Sequence, residues 1–380
     1  MLADVRDTKQ SVDAILDLVR GSTEAIEESR CLPDAVVQAL RAAGVNRLLI
    51  PEALGGMQAS VLDVMDVIER LAAADGSTGW CAAIGAGSNL FAGYLPEAGA
   101  AEVFADPDQG NATMFAPVGR VEEIDGQRLL SGRWPFTSNC LHSAWVGLGA
   151  LVDDSGPDAV PRVTFVPMEA LTIEDTWDVI GLRGTGSHHV QAQAVVVSPA
   201  RTCAWGDRPW AEGTLWRLPI YAALLPTLVA VPLGIARGAL DEIARQAVQG
   251  RTARRGQLTD DPMAMADFAV ADNRLRGARA ELRDALEEAH ELAERGEPVG
   301  RQLQARIMLG AIEACDVSVE VTSTCHRLGG GAATYRGSAL LRALCDVQAA
   351  RQHLLFSHHH RAAFGRILAG VDGTYPPFIL

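Results

Sequence analysis

The chain has 380 residues, 48% hydrophobic and 21% charged, with a formal net charge of −14. That length exceeds a single core and predicts two or three subdomains of an ordinary globular protein. The negative charge excludes nucleic acid as a partner, because phosphate binding needs net or clustered positive charge.

The compact basic cluster Arg251, Arg254 and Arg255 suits one small anionic group rather than a polymer. Seven cysteines, odd in number and without a CxxC pair, predict a reducing, intracellular compartment and argue against structural zinc. The charged N-terminus lacks the apolar core of a signal peptide. Residues 218–236 are apolar enough to suggest a membrane span, but they carry Pro219, Pro226 and Pro232 and lead into an amphipathic run. A helix buried in a core or subunit interface is the expectation.

Residues 1–108 read as an N-terminal helical domain. Leu32-Pro33-Asp34 starts a helix with proline in its first turn, and Val36, Leu40 and Ala43 keep helical spacing until Gly44. Val61, Val64, Val67, Ile68 and Leu71 give a second helix, and 78–94 a third, more apolar one. Gly85-Ala86-Gly87 imitates a dinucleotide fingerprint, but its third glycine would fall at Leu90 and no strand precedes it. A Rossmann nicotinamide site is therefore rejected.

Residues 109–212 change to a β-domain. Asp125-Gly126 predicts a hairpin within 120–130, and strand-like runs follow at 145–151, 162–166 and 190–197. Two loops carry chemistry. In Trp134-Pro135-Phe136-Thr137-Ser138-Asn139, two aromatics and three hydrogen-bonding side chains meet where a strand breaks. Such a place can stack a flat ring and bond its edge. A β-bulge with Trp134 and Phe136 in the core accounts for the same residues. The second loop, 176–189, sets Thr185 and Ser187 beside Trp177 and reads either as ligand-facing or as a surface hairpin.

Residues 213–380 predict a four-helix bundle, with Leu275, Leu282, Leu286 and Ala289 at helical steps and a last helix over 340–367. His358, His359 and His360 point about 100° apart on a helix and cannot converge on one ion. Asp346, His353 and His360 share a face at seven-residue steps, but each step rises about 10 Å, too far for one metal. His353, alone on an apolar helix, is either a satisfied core histidine or a catalytic one.

This order of helices, β-domain and bundle, with Trp134–Asn139 and Leu328-Gly329-Gly330-Gly331, resembles the acyl-CoA dehydrogenase superfamily over nearly the whole chain. The resemblance implies an α+β fold: N-terminal helical domain, central β-barrel or sandwich, C-terminal four-helix bundle. It also implies flavin contacts at Phe136-Thr137-Ser138-Asn139, with the Ser138 hydroxyl at the N5/O4 edge. A dehydrogenase needs a carboxylate to remove the proton α to the thioester. In many members that Glu lies eight residues after the Asp of an Arg-Asp pair. Here the matching residue is Asp346, and Leu354 stands eight further on, beside His353. The other location, 218–237, holds no acid.

What remains resembles the oxygen-using branch, the two-component flavin monooxygenases, although Cys140 and Cys345 replace a usual glycine and arginine. The resemblance implies reduced FMN or FAD from a separate NAD(P)H:flavin reductase, O2 as co-substrate and a C4a-hydroperoxide. It further implies hydroxylation of an aromatic or polycyclic small molecule, in a cytoplasmic homotetramer. An acyl-CoA dehydrogenase with a displaced base, an N-hydroxylase or sulfoxidase, and a non-catalytic scaffold are the alternatives. Ser138 and His353 are the expected catalytic residues. Flavin contacts are expected from Trp134, Phe136, Thr137, Ser138, Asn139, Thr185, Ser187, Arg251, Arg254, Gly330 and Gly331. Substrate contacts are expected from Trp80, Ser88, Asn89, Trp177 and Phe356, and no metal is expected.

Overall fold

The computed structural model describes residues 5–152, 161–204, 206–250, 252–253 and 256–371. Helices α1 (Val5–Gly21), α2 (Thr23–Ser29), α3 (Asp34–Ala42), α4 (Val61–Ala74), α5 (Gly76–Asn89) and α6 (Glu97–Val103) precede the strands. Gly44 follows α3 in the left-handed conformation, at φ 75°. Ser60 caps α4 by accepting the Asp63 N–H at 3.1 Å, and α4 buries the Val64, Ile68 and Leu71 stripe. Asp75 caps α5 through the Thr78 N–H at 2.7 Å. Almost every α5 residue is buried, as its nearly continuous small and apolar sequence requires.

Strands β1 (Asn111–Ile124), β2 (Gln127–Trp134), β3 (Trp145–Val152), β4 (Arg162–Pro167), β5 (Thr172–Glu174), β6 (His189–Val196) and β7 (Thr202–Ala204) follow. The expected barrel or sandwich is realised as one mixed sheet in the order β5-β6-β2-β1-β3-β4-β7. β1 and β3 run parallel from Asn111↔Trp145, and the other pairs are antiparallel. Asp125 and Gly126 both have positive φ, the backbone that a two-residue hairpin turn demands.

Helices α7 (Thr214–Arg217), α8 (Ile220–Val248), α9 (Pro262–Glu294), α10 (Arg301–Gly329), α11 (Ala339–Arg351) and α12 (His359–Leu368) complete the chain. α8 is long and apolar enough to cross a membrane, but 89% of its most apolar 18-residue stretch is buried inside the protein. Glycines let it lie against α4: a Cβ at Gly234 would stand 2.3 Å from the Glu69 carbonyl oxygen, and one at Gly238 2.4 Å from that of Ala73.

The expected last helix is interrupted. Gln352 ends α11, His353 is extended, and 354–356 form one 3-10 turn before α12. Tertiary bonds override helix propensity here. Arg351 donates to the Phe356 carbonyl at 2.6 Å while its guanidinium pairs with Asp316 of α10. The interruption removes the helical face that would have joined Asp346, His353 and His360. The three consecutive histidines diverge too: His358 meets Asp316 at 3.0 Å, His359 is exposed, and His360 is buried against the Leu354 carbonyl.

Candidate active site

The ladder between β2 and β6 ends at Trp134↔Val190, and the two loops continue side by side beyond it. Thr137 N–H donates to the His188 carbonyl at 2.9 Å, and Asn139 N–H to that of Thr185 at 3.0 Å. Phe136, Asn139 and Leu182 hold left-handed φ of 59°, 65° and 52°. Such backbone costs about 1 kcal/mol or more per residue, and persists only where the surroundings over-determine it.

Those surroundings are visible for the second loop. Leu182 N–H donates to Asp346 Oδ1 at 2.6 Å, Gly184 N–H to Ser77 Oγ at 3.1 Å, and the Trp177 indole to the Leu182 carbonyl at 3.0 Å. His188 Nδ1 accepts the N–H groups of Thr176 and Trp177. Burial, and then the charge of Asp75, push the Asp346 carboxyl well above the usual carboxylate range.

Where the loops meet α5, polar groups line up. The Trp80 indole N–H donates to Ser138 Oγ at 3.0 Å. Ser138 and Ser187 hydroxyls lie 2.7 Å apart, Ser187 and Thr185 hydroxyls also 2.7 Å, and Thr185 donates to the Leu182 carbonyl at 2.8 Å. His353 approaches from the α11–α12 turn, with its ring centroid 5.7 Å from Trp80 in an edge-on arrangement and 6.0 Å from Phe356. Desolvation lowers its pKa to about 4, although the residue as a whole is only half-buried. The imidazole is therefore neutral at physiological pH, and because its Nδ1 accepts the Leu355 N–H at 3.3 Å, its one proton lies on Nε2. Leu354, at the position of the missing glutamate, is 54% exposed.

The structure thus brings together Trp80, Ser138, Thr185, Ser187, His353 and Phe356. Thr137 and Asn139 are buried in the loop backbone beside them. Phe136 turns outward, 61% exposed, and makes edge-on ring contacts with Trp177 at 6.2 Å and His189 at 6.0 Å.

The remaining expected residues take other places, and for Trp134 and Asn89 the expectation is corrected. Trp134 is fully buried in the sheet, donates to the Gly149 carbonyl, and packs where Gly119 and Gly132 have no side chain, so it is core. Asn89 ties helix to sheet instead of facing a ligand: it donates to the Asn46 carbonyl and accepts from Asn111. Ser88 is buried with no partner for its hydroxyl among the described residues. Gly330 and Gly331 sit on the exposed turn after α10, and Arg251 and Arg254 lie outside the described residues.

Sequence reasoning used Asp346 to set register and weighed it as a metal ligand, and missed it, with Ser77 and Gly181, as an anchor of the second loop. A Cβ on Gly181 would stand 2.1 Å from the Cys345 carbonyl oxygen. No local pattern announces such a contact. Two crevices, one lined by Cys81, Asn139 and His142 and the other by Gln58, Thr214 and His290, do not include Ser138, Trp80 or His353 in their linings.

A buried hydroxyl at a strained loop, with the exposed ring of Phe136 and the half-buried ring of Trp177 beside it, fits a flat heteroaromatic group with a polar edge such as a flavin. Comparison with known proteins agrees. Residues 6–104 match the acyl-CoA dehydrogenase N-terminal domain and 227–358 its C-terminal domain. The chain belongs to the acyl-CoA dehydrogenase family. Within that family its relatives are flavin-dependent monooxygenases. The chain is 34% identical to an indole-3-acetate monooxygenase of Pseudomonas putida over 346 residues, 90% of this chain and 88% of the other. It is 30% identical to the flavin-dependent monooxygenase oxygenase subunit HsaA of Rhodococcus jostii, over 90% of this chain and 93% of that protein. The crystal structure of the Mycobacterium tuberculosis HsaA monooxygenase superimposes with a TM-score of 0.92 at 26% identity, covering 98% of this chain and 100% of that one.

Proposed function

We propose that this chain is the oxygenase component of a two-component monooxygenase that hydroxylates an aromatic small molecule with O2. Reduced FMN or FAD comes from a separate NAD(P)H-dependent reductase. One observation carries this reading within the family. A neutral imidazole, His353, packs edge-on against Trp80, whose indole holds Ser138, while the position eight residues after Asp346, where many dehydrogenases of this family carry a glutamate, is Leu354. The α8 stretch from Ile220 to Arg237 offers no acid in its place.

When bound, reduced flavin supplies the electrons that activate O2. The chain's own residues do the rest. Ser138 would hold the polar edge of the bound flavin through its hydroxyl, and Trp80 and Phe356 would keep water from the reacting side. Neutral His353, whose Nδ1 accepts the Leu355 N–H, would offer its Nε2 N–H as a hydrogen-bond donor to a substrate hydroxyl or to the oxygen being transferred. Phe136, exposed, and Trp177 beside it would flank the bound group from the outer side of the loops.

Ser138→Ala and His353→Ala should each oxidise flavin without transferring oxygen, lowering product per flavin consumed about tenfold while hydrogen peroxide rises. Unchanged coupling in both variants rejects the assignment. Reduction of bound oxidised flavin by an acyl-CoA would favour a dehydrogenase with a displaced base. The protein works in the cytoplasm as a homotetramer of three-domain subunits (1–108, 109–212, 213–380) on this reading. Seven free thiols and the exposed Met263 and Val270 on α9 support it, and sedimentation checks the assembly.

A further inference from the structure

Three hydroxyl protons serve three oxygen–oxygen gaps at this site. The gaps are Ser138 to Ser187 at 2.7 Å, Ser187 to Thr185 at 2.7 Å, and Thr185 to the Leu182 carbonyl at 2.8 Å. Two oxygens that close repel unless a proton lies between them, and each hydroxyl has only one proton to give. The Leu182 carbonyl has none, so Thr185 must donate to it. Ser187 then donates to Thr185, and Ser138 to Ser187. At the other end the Trp80 indole can only donate, so Ser138 accepts from it. Every bond in the chain points the same way, and no alternative assignment fills all three gaps.

The far end is fixed as well. Asp346 takes the Leu182 N–H, and the Trp177 indole donates to the Leu182 carbonyl. Ser138, Ser187, Thr185 and Trp80 are all buried, which keeps bulk water from reorienting the hydroxyls.

We propose that Thr185 and Ser187 are positioning residues that lock the Ser138 hydroxyl as a pure acceptor, so that the site selects a flavin whose N5 carries a proton. The inference rests on the flavin reading above and goes beyond it. Ser138 has committed its proton to Ser187 and one lone pair to Trp80, and keeps one lone pair for a ligand. Reduced flavin presents an N5–H to that lone pair. Oxidised flavin presents only a second lone pair, which an acceptor rejects. The loop therefore sorts the product of the reductase from the spent cofactor by a hydrogen-bond direction set three residues away.

Equilibrium dialysis of the full chain tests this, with reduced FMN and reduced FAD held anaerobically and the oxidised forms in parallel. The wild type should bind the reduced form more tightly. Ser187→Ala frees the Ser138 proton, and Thr185→Val lets Ser187 turn its own proton toward Ser138. Either change should lower the reduced-to-oxidised affinity ratio about tenfold, the size of one hydrogen bond, mainly by tighter binding of the oxidised form. Thr185→Ser should restore the ratio. Trp80→Phe breaks the chain at its donor end and should leave the ratio intact, an asymmetry that simple loosening of the loop does not produce.

Ratios unmoved in folded Ser187→Ala and Thr185→Val proteins overturn the relay, as does equal weakening of both redox forms. Should both downstream variants fail to fold, collapse of the ratio in Trp80→Phe overturns it and retention supports it. A wild type that binds neither form in either redox state overturns the oxygenase reading itself, which separates the two failures.

Discussion

On the sheet side of the site, residues 136–139 and 182–188 are held by backbone N–H groups bonded to buried carbonyls, hydroxyls and the Asp346 carboxyl. On the helix side, the turn that carries His353 depends on charged groups that reach solvent: Arg351, Asp316, His358 and Arg361. A buried bond that breaks leaves an orphaned polar group, whereas an ion group whose outer members, His358 and Arg361, are open to solvent can be partly rehydrated when a pair breaks. The sheet side is therefore the fixed wall, suited to holding a cofactor edge in one orientation. The helix side is the adjustable wall, suited to a residue that must meet different protonation states.

The sharpest way to break this contrast is to press on the fixed wall. Gly181→Ala places a Cβ 2.1 Å from the Cys345 carbonyl oxygen, a helix backbone atom with no rotamer to yield. Displacing the loop also pulls Leu182 N–H from Asp346. We expect a stability loss of about 3 kcal/mol or more, read as a drop in Tm together with loss of flavin binding. A folded variant with unchanged Tm would mean that the second loop is free to shift, and the two walls would no longer differ.

The same contrast explains what was legible beforehand. α4 announces itself by apolar spacing and a serine cap, α8 by an apolar run that must be buried, and the β1–β2 hairpin by Asp125-Gly126, because periodicity and turn chemistry are local. Ser138, Thr185 and Ser187 were readable as polar residues in loops, and a family pattern drew them to one ligand. Their order and direction were not readable, since these depend on α5 supplying Trp80 across 58 positions of sequence. Trp134 misled for a related reason: its place in the core is decided by Gly119 on the neighbouring strand β1 together with Gly132 two residues earlier on its own strand. The broken last helix was hidden because Arg351 ends it through partners on α10 and in the turn beyond, while its own sequence lacks glycine or proline at the break.

A smaller effect, on the adjustable wall, comes from the titration of His353. Burial lowers its pKa from 6.5 to about 4, so between those values the unfolded chain takes up a proton that the folded chain refuses. Stability then rises with pH across that window and is lost as pH falls from 6.5 toward 4. The carboxyls of Asp75 and Asp346, both raised by burial, act in the opposite sense: the folded state is favoured at low pH and loses stability as pH rises through their folded pKa values. They are common to wild type and variant, so the difference isolates the histidine. His353→Asn should flatten the acid limb by about 2 kcal/mol, allowing for the part of the ring that water reaches. Parallel melting curves for the two proteins from pH 4 to 7 would show that the imidazole is not held neutral by its surroundings.

The smallest effect tests the ion group itself. Arg351→Met keeps the apolar stem but removes the donor to the Phe356 carbonyl and one of the charges facing Asp316. His358 and Arg361 remain on Asp316, so the carboxylate is not left alone. The expected loss is about 1 kcal/mol in low salt, shrinking as salt is added, because the Arg351–Asp316 attraction that is lost is itself partly screened in the wild type. If the turn is adjustable, coupling of flavin oxidation to product should fall more than Tm does, since His353 moves relative to Trp80 while the sheet side stays fixed. A large Tm loss independent of salt, with coupling intact, would reverse the assignment and make the helix side the rigid wall.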